Sequence, residues 1–99
     1  MRLGTVLVTG PSMLPVLHQG DCLVVRRGGG VRPGDVVVAR FRERPSLLVV
    51  KRAVRPLDGG WELTSDNPAV RGHGLTSGVG DVVAVVLLRY WPLPVRRPS

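Results

Sequence analysis

Short runs rich in valine and leucine, each ended by glycine, proline or aspartate, recur along the whole of this sequence. β-Branched residues favour extended backbone, and clusters of Gly and Pro are typical of the turns between strands. The runs predict strands at residues 3–9, 21–27, 36–42, 47–54, 61–64 and 81–90. A chain of 99 residues has room for a single hydrophobic core. We therefore predict one domain that is mostly β.

The net charge of the chain is +7, because thirteen arginines and one lysine outnumber seven acidic residues. The arginines are spread singly or in pairs, with no block of five like charges, which is typical of a solvated surface. Only four aromatic residues are available for stacking on bases, so we expect no nucleic-acid partner. An acidic partner or an anionic membrane surface stays open as an alternative.

Cys22 is the only cysteine and lies in an apolar run, where we expect it to pack as a small buried hydrophobe. The two histidines, His18 and His73, show no metal-ligand spacing with it, so we expect no metal and no other cofactor. No apolar run approaches 18 residues, and the stretch before the first glycine is too short for a signal peptide. We therefore expect no membrane anchor in this chain and a cytoplasmic location.

Lys51 is the only one of the fourteen lysine and arginine side chains that can lose its proton, because the other thirteen are arginines. It lies in a predicted strand, where alternate residues share a face, so either Lys51 or Arg52 must project among apolar neighbours. A buried lysine has a lowered pKa and can act as a base. An edge-strand lysine with its head in water is the equal alternative at this point.

Ser12 follows Thr9-Gly10-Pro11 at the corner between a predicted strand and a turn. A nucleophile needs an exposed hydroxyl on a rigid backbone with N–H donors close by, and a nearby glycine lets a substrate approach. A serine after Gly-Pro is more often a turn residue, so the position alone does not make Ser12 a nucleophile.

Four motifs in order resemble the conserved boxes of the signal peptidase I family. Residues 10–17 read GPSMLPVL and are followed by Gly20-Asp21, which is similar to the nucleophile box. Residues 34–38, GDVVV, resemble the next box, and residues 50–54, VKRAV, resemble the box of the general-base lysine. Asp66-Asn67-Pro68 resembles the start of the last box. The short chain is most similar to the soluble branch called nickel-type superoxide dismutase maturation proteases.

This resemblance implies a serine endopeptidase on a small coiled antiparallel β-sheet, or partly open barrel, of the signal-peptidase and LexA-like type. Ser12 would be the nucleophile and its backbone N–H an oxyanion donor, with Lys51 as general base. The partner would be a protein or peptide substrate, bound as an extended strand, which loses an N-terminal extension. The implied substrate-binding residues are Leu7, Thr9, Gly10, Met13 and Val49. The catalytic domain would span residues 1–92, followed by a flexible tail at 93–99.

The last box departs from the family pattern after Pro68, because the expected serine and Asp-Ser-Arg sequence are absent. The hydroxyl that would orient Lys51 is therefore left open between Ser65, Thr76 and Ser77. Asp66 is interpreted as a turn residue. A triad of Ser12, His73 and Asp66 is disfavoured, because His73 lies between glycines in a predicted loop over residues 66–79.

Two other functions fit parts of the sequence. A LexA-like repressor cleaves itself with the same Ser–Lys pair, but it carries a cleavage site and a DNA-binding domain upstream of the serine. Only eleven residues precede Ser12 here, so this alternative needs a longer native chain. The second alternative is a catalytically degenerate, basic β binding module, which the altered last box and the net charge of +7 would suit.

Overall fold

The computed structural model describes residues 2–10, 13–69 and 78–98, and these form an all-β structure without a helix. The strands are β1 Arg2–Leu7, β2 Cys22–Arg27, β3 Val36–Phe41, β4 Leu48–Leu57, β5 Gly60–Thr64 and β6 Gly78–Trp91. They make one antiparallel sheet in the order β1-β2-β6-β3-β4-β5. The predicted mostly β fold is confirmed.

The sheet curls until its last strand meets β6 again, so that β6, β3, β4 and β5 form a ring. β6 is 14 residues long, which lets one strand serve three neighbours. Its first residues pair with β5, its middle with β3 and its last part with β2. Register shifts between β2 and β6 mark irregularities of the kind that bend a strand. The result is a partly closed barrel from which β2 and β1 extend.

Two apolar clusters fill the two sides of this curled sheet. The first cluster lies on the side covered by the segment after β1, and the second lies inside the ring. The first contains Val8, Met13, Leu17, Leu23, Val25, Val36, Val38, Ala84 and Val86. The second contains Val37, Ala39, Phe41, Ala53, Leu63 and Val85. Since successive residues of a strand point to opposite faces, β3 contributes alternately to both clusters and is buried on both faces.

Two turns show why a Gly-Asp pair precedes two of the strands. The Asp21 carboxylate accepts the backbone N–H of His18 at 2.9 Å, before β2. The Asp35 carboxylate accepts the backbone N–H of Arg32 at the same distance, before β3. Both aspartates therefore close a turn of four residues, which confirms the interpretation of these pairs as turn chemistry.

The sequence misplaces the start of β6, which begins at Gly78 and not at residue 81. The sequence pattern assigns residues 78 and 79 to the predicted loop at 66–79, because the glycines here have a low strand propensity. Gly80 is needed there for space. A Cβ built on it would lie 2.6 Å from Leu63 Cδ1 and 2.7 Å from the Arg40 carbonyl oxygen. The ring closes only because β6 has no side chain at this point.

Replacing Gly80 with alanine is expected to lower the free energy of unfolding by about 1–3 kcal/mol, because the new methyl group forces backbone apart at the ring closure. The measurement is chemical denaturation with urea. Gly30→Ala is the matched control, since a Cβ at Gly30 meets nothing within 4 Å, and it should change stability by less than about 0.5 kcal/mol. Equal losses in both variants would contradict a tight closure.

The residues after β6 turn back along that strand. Arg89 and Arg96 exchange two backbone hydrogen bonds, with N–O distances of 2.7 and 3.1 Å. The Pro98 carbonyl accepts a hydrogen bond from Arg52 Nη1 at 3.2 Å. The domain boundary at residue 92 stays a prediction, and these contacts show how residues 93–98 lie on the sheet.

Candidate active site

Lys51 lies in the middle of β4 with 4% of its surface exposed. It pairs with Val37 of β3 and shares its face with Ala53, and both of these residues are fully buried. Of the two orientations that the sequence leaves open, the structure has the buried one. The reason is that the curled sheet covers this face of β4, which strand alternation alone could not show.

Ser65 supplies a hydroxyl to the lysine. Lys51 Nζ donates a hydrogen bond to Ser65 Oγ at 2.9 Å, and Ser65 is completely buried. Ser65 directly follows β5, and the β4–β5 pairing ends at Arg52 opposite Thr64, so the register of these two strands places Ser65 opposite Lys51. Thr76 and Ser77, the other two candidates for this contact, lie outside the described residues.

Burial lowers the pKa of the Lys51 amine from its ordinary value of 10.5. No carboxylate forms an ion pair with Lys51 among residues 2–10, 13–69 and 78–98. A buried amine without a counter-charge favours its neutral form, because the charged form loses its hydration. The site therefore makes a neutral amine, which can accept a proton, available at lower pH than in water.

The next residue on β4, Arg52, forms a two-pronged ion pair with Asp66. Arg52 Nη2 lies 2.6 Å from Asp66 Oδ2, and Arg52 Nε lies 3.2 Å from Asp66 Oδ1. Both side chains are mostly buried, at 19% and 12% exposed. The interpretation of Asp66 as a turn residue missed this role. Two adjacent residues of β4 thus contact two adjacent residues after β5. Lys51 forms a hydrogen bond with Ser65, and Arg52 forms an ion pair with Asp66.

A cleft of about 370 Å³ runs beside the lysine, between β1 and β4. Its lining residues are Val6, Leu7, Thr9, Val38, Leu47, Leu48, Val49, Val50 and Lys51. β1 is hydrogen-bonded to β2 alone, and residues 48–51 of β4 are paired with β3 alone. Two unpaired strand edges of the described structure therefore face a mostly apolar cleft, which is the arrangement that accepts an extended peptide.

Three of the five predicted substrate-binding residues line this cleft, namely Leu7, Thr9 and Val49. Gly10 lies just beyond it and has a φ of 84°, a conformation that glycine adopts without strain. Met13 is 1% exposed and belongs to the first apolar cluster. Its side chain is therefore a core residue in this structure.

Ser12, Pro11 and His73 lie outside the described residues. On the two sides of Ser12, Thr9 lines the cleft and Met13 is buried in the core. Leu17 N–H donates to the Met13 carbonyl at 2.9 Å, which closes one turn directly after position 12. The chain on both sides of Ser12 is therefore tied to the sheet that carries Lys51.

A family model, described as Peptidase S24-like, matches residues 2–86. The chain belongs to the Peptidase S24-like family. This family lies in the superfamily of LexA-like and signal-peptidase-like proteins, which supports a serine peptidase in general. None of the curated proteins compared with the chain matches it.

The described residues contain no group of three His, Cys, Asp or Glu side chains that could hold a metal ion. In the same part of the chain, no helix is long and apolar enough to cross a membrane. The arrangement at the cleft, a buried amine held by a buried hydroxyl, is suited to proton transfer.

Stability should rise with pH through the titration of Lys51. Below its lowered pKa, the folded state carries the cost of a buried charge. Between that pKa and 10.5, the unfolded state binds more protons than the folded state, so the free energy of unfolding rises by up to about 1.4 kcal/mol per pH unit. The measurement is urea denaturation at several pH values, comparing the wild type with Lys51→Met. Identical pH slopes in both proteins would contradict a buried, titrating Lys51.

Proposed function

We propose that this chain is a serine endopeptidase in which Ser12 is the nucleophile and Lys51 the general base. The observation that carries the proposal is the buried Lys51 amine, held by Ser65 at the side of a cleft with two open strand edges. A lysine that served only solubility would keep its amine in water, because burying it costs hydration energy. Membership of the Peptidase S24-like family supports the reaction class.

In the proposed reaction, the neutral Lys51 amine accepts the proton of the Ser12 hydroxyl as its oxygen bonds to the scissile carbonyl carbon. The carbonyl becomes an oxyanion, which the backbone N–H of Ser12 stabilises. The Lys51 ammonium then gives its proton to the leaving amine as the peptide bond breaks. A water molecule, deprotonated by Lys51, hydrolyses the acyl-serine and restores both groups.

The substrate would lie as an extended strand between the edge of β1 and the edge of β4 at residues 48–51. Its backbone would pair with the unpaired N–H and C=O groups there, and alternate side chains would point into the cleft. Leu7 and Val49 provide apolar wall, Thr9 adds a hydroxyl, and Gly10 leaves room for a close backbone approach. Met13 supports the wall from the core. Such walls favour aliphatic side chains next to the scissile bond.

The substrate class we propose is a partner protein in the cytoplasm that loses an N-terminal extension, as in the maturation proteases that the sequence resembles. A nickel superoxide dismutase precursor is the first candidate to test. A second candidate function follows from the family match, since LexA-like members of this group cut their own chain. In that case a segment of the same polypeptide would occupy the cleft.

The experiment uses the purified chain, the precursor and a library of extended peptides, with mass spectrometry of the products. The expected result is one cleavage site, with product formation abolished in Ser12→Ala. Ser46→Ala is the matched control, because Ser46 is an exposed turn residue between β3 and β4. Cleavage that persists in Ser12→Ala would contradict the proposal.

The concentration dependence of the same reaction separates the two candidates. Processing of a partner is bimolecular, so its rate rises with enzyme concentration. Self-cleavage of a longer natural chain would proceed at a rate independent of dilution. Salt-sensitive binding of nucleic acid without any cleavage would favour the basic binding module instead.

A further inference from the structure

A second concave site lies where the segment after β6 crosses the loop that follows position 12. It has a volume of about 220 Å³ and shares no lining residue with the substrate cleft. Its lining residues are Pro15, Val16, Leu17, Arg89, Arg96, Arg97 and Pro98. Three of the seven are arginines, and the other four are apolar residues or prolines.

The backbone sets two of these arginines directly opposite each other. Arg89 and Arg96 form an antiparallel bridge with both of its hydrogen bonds made, at 2.7 and 3.1 Å. Like charges directly opposite in such a pair repel and are unfavourable unless something neutralises them. The bridge therefore holds a local concentration of positive charge in place.

The described contacts of Arg89 involve two of the three nitrogens of its guanidinium group. Arg89 Nη2 donates to the Pro94 carbonyl at 3.0 Å, and Nη1 lies 4.0 Å from the buried Asp21 carboxylate. Arg89 Nε is buried and has no hydrogen-bond partner among the residues that the structure describes. Such a nitrogen is unfavourable in a protein interior, because it has lost water without gaining an acceptor.

Arg96 and Arg97 form no ion pair with any described acidic residue. Three arginines line the site, and among the described carboxylates only Asp21 comes within ion-pair distance of one of them, so the site carries an excess of positive charge. The volume suits a small ion. A compact dianion with several acceptor oxygens would neutralise this excess of positive charge.

We propose that this site, the arginine pocket of Arg89, Arg96 and Arg97, binds a phosphate group. The planar fork of arginine matches the oxygens of phosphate, and hydrogen bonds between ionised groups are the strong ones. The group comes either from free inorganic phosphate or from the monoester headgroup of phosphatidic acid. Bound phosphate would also brace residues 15–17, and with them the chain that leads back to Ser12.

The first arm of the test is calorimetric titration of the intact chain with inorganic phosphate at constant ionic strength. Arg96→Gln and Arg97→Gln are expected to weaken binding by about tenfold each. Arg44→Gln removes the same charge from the β3–β4 turn, beyond the opposite end of β6, and should stay within about twofold. Arg89→Lys, which keeps the charge and loses the fork, should also bind more weakly. Thermal unfolding without phosphate checks that each variant is folded.

The second arm is cosedimentation with phosphatidylcholine vesicles, with and without phosphatidic acid. Binding that needs phosphatidic acid, is lost in Arg96→Gln and is displaced by inorganic phosphate supports the site and assigns its natural group to a lipid. Binding in the first arm only supports the site with free phosphate as the ligand. If neither arm depends on Arg96 or Arg97, or if Arg44→Gln weakens binding equally, the proposal is overturned.

Discussion

Replacing Lys51 with methionine is expected to lower the rate of peptide cleavage by roughly 10³- to 10⁴-fold while the fold stays intact. The amine is the proton acceptor of the proposed reaction, and methionine has a similar length without a basic group. Lys51 is 4% exposed in largely apolar surroundings, so an apolar side chain suits the position. The measurement is kcat/KM on the peptide found by mass spectrometry, together with urea denaturation of the same preparation.

Further variants test separately the basicity of Lys51, its positive charge and its orientation by Ser65. Lys51→Arg keeps the positive charge but cannot lose a proton, so it should be as inactive as Lys51→Met and less stable. Ser65→Ala removes the 2.9 Å contact with Lys51 Nζ and should cost about 10- to 100-fold in kcat, with a small change in KM. Ser65→Thr keeps a hydroxyl and should recover part of the loss. Full activity in Lys51→Arg would disprove the role of Lys51 as base.

Replacing Arg52 with methionine is expected to lower the free energy of unfolding by about 2–4 kcal/mol. The change leaves the Asp66 carboxylate, which is 12% exposed, without its two-pronged partner. It also removes the hydrogen bonds from Arg52 Nη1 to the Gly34 and Pro98 carbonyls, at 2.9 and 3.2 Å. Asp66 directly follows Ser65, whose hydroxyl contacts Lys51. Loss of the Arg52–Asp66 ion pair should therefore also lower the rate of peptide cleavage. Urea denaturation measures the stability and the peptide assay measures the activity.

The exposed pair Arg55–Glu62 is the matched control for this prediction. It joins β4 to β5 at 2.7 Å, close to the Arg52–Asp66 pair, but its side chains are 62% and 35% exposed. Arg55→Met should therefore cost less than about 1 kcal/mol, because water screens the pair. A double-mutant cycle of Arg52→Met with Asp66→Asn should give a coupling energy above that of the control cycle. Equal coupling in both pairs would show that the Arg52–Asp66 contact adds nothing specific.

The strands and the exceptional lysine could be predicted from the sequence alone. Strand and turn preferences act between residues that are close in sequence. The runs of valine bounded by Gly and Pro were therefore enough to place all six strands to within a few residues. The uniqueness of Lys51 among the basic residues is a matter of composition and needed no structure. The Asp21 and Asp35 turns were also local, since each carboxylate reaches a backbone N–H three residues away.

The environment of Lys51 was decided only by the tertiary structure. Whether a strand lysine faces water or the core depends on which strands cover it, and that is set by the closure of β5 onto β6. The pairing of β4 with β5, which ends at Arg52 opposite Thr64, brings Ser65 to Lys51 and Asp66 to Arg52, across 14 residues of sequence in each case. The closure onto β6 requires Gly80, and the low strand propensity of glycine hid the start of β6. Local sequence patterns determine where the strands lie. Contacts between distant residues depend on how the strands pair and how the sheet curls, and the periodicity of the sequence does not contain that information.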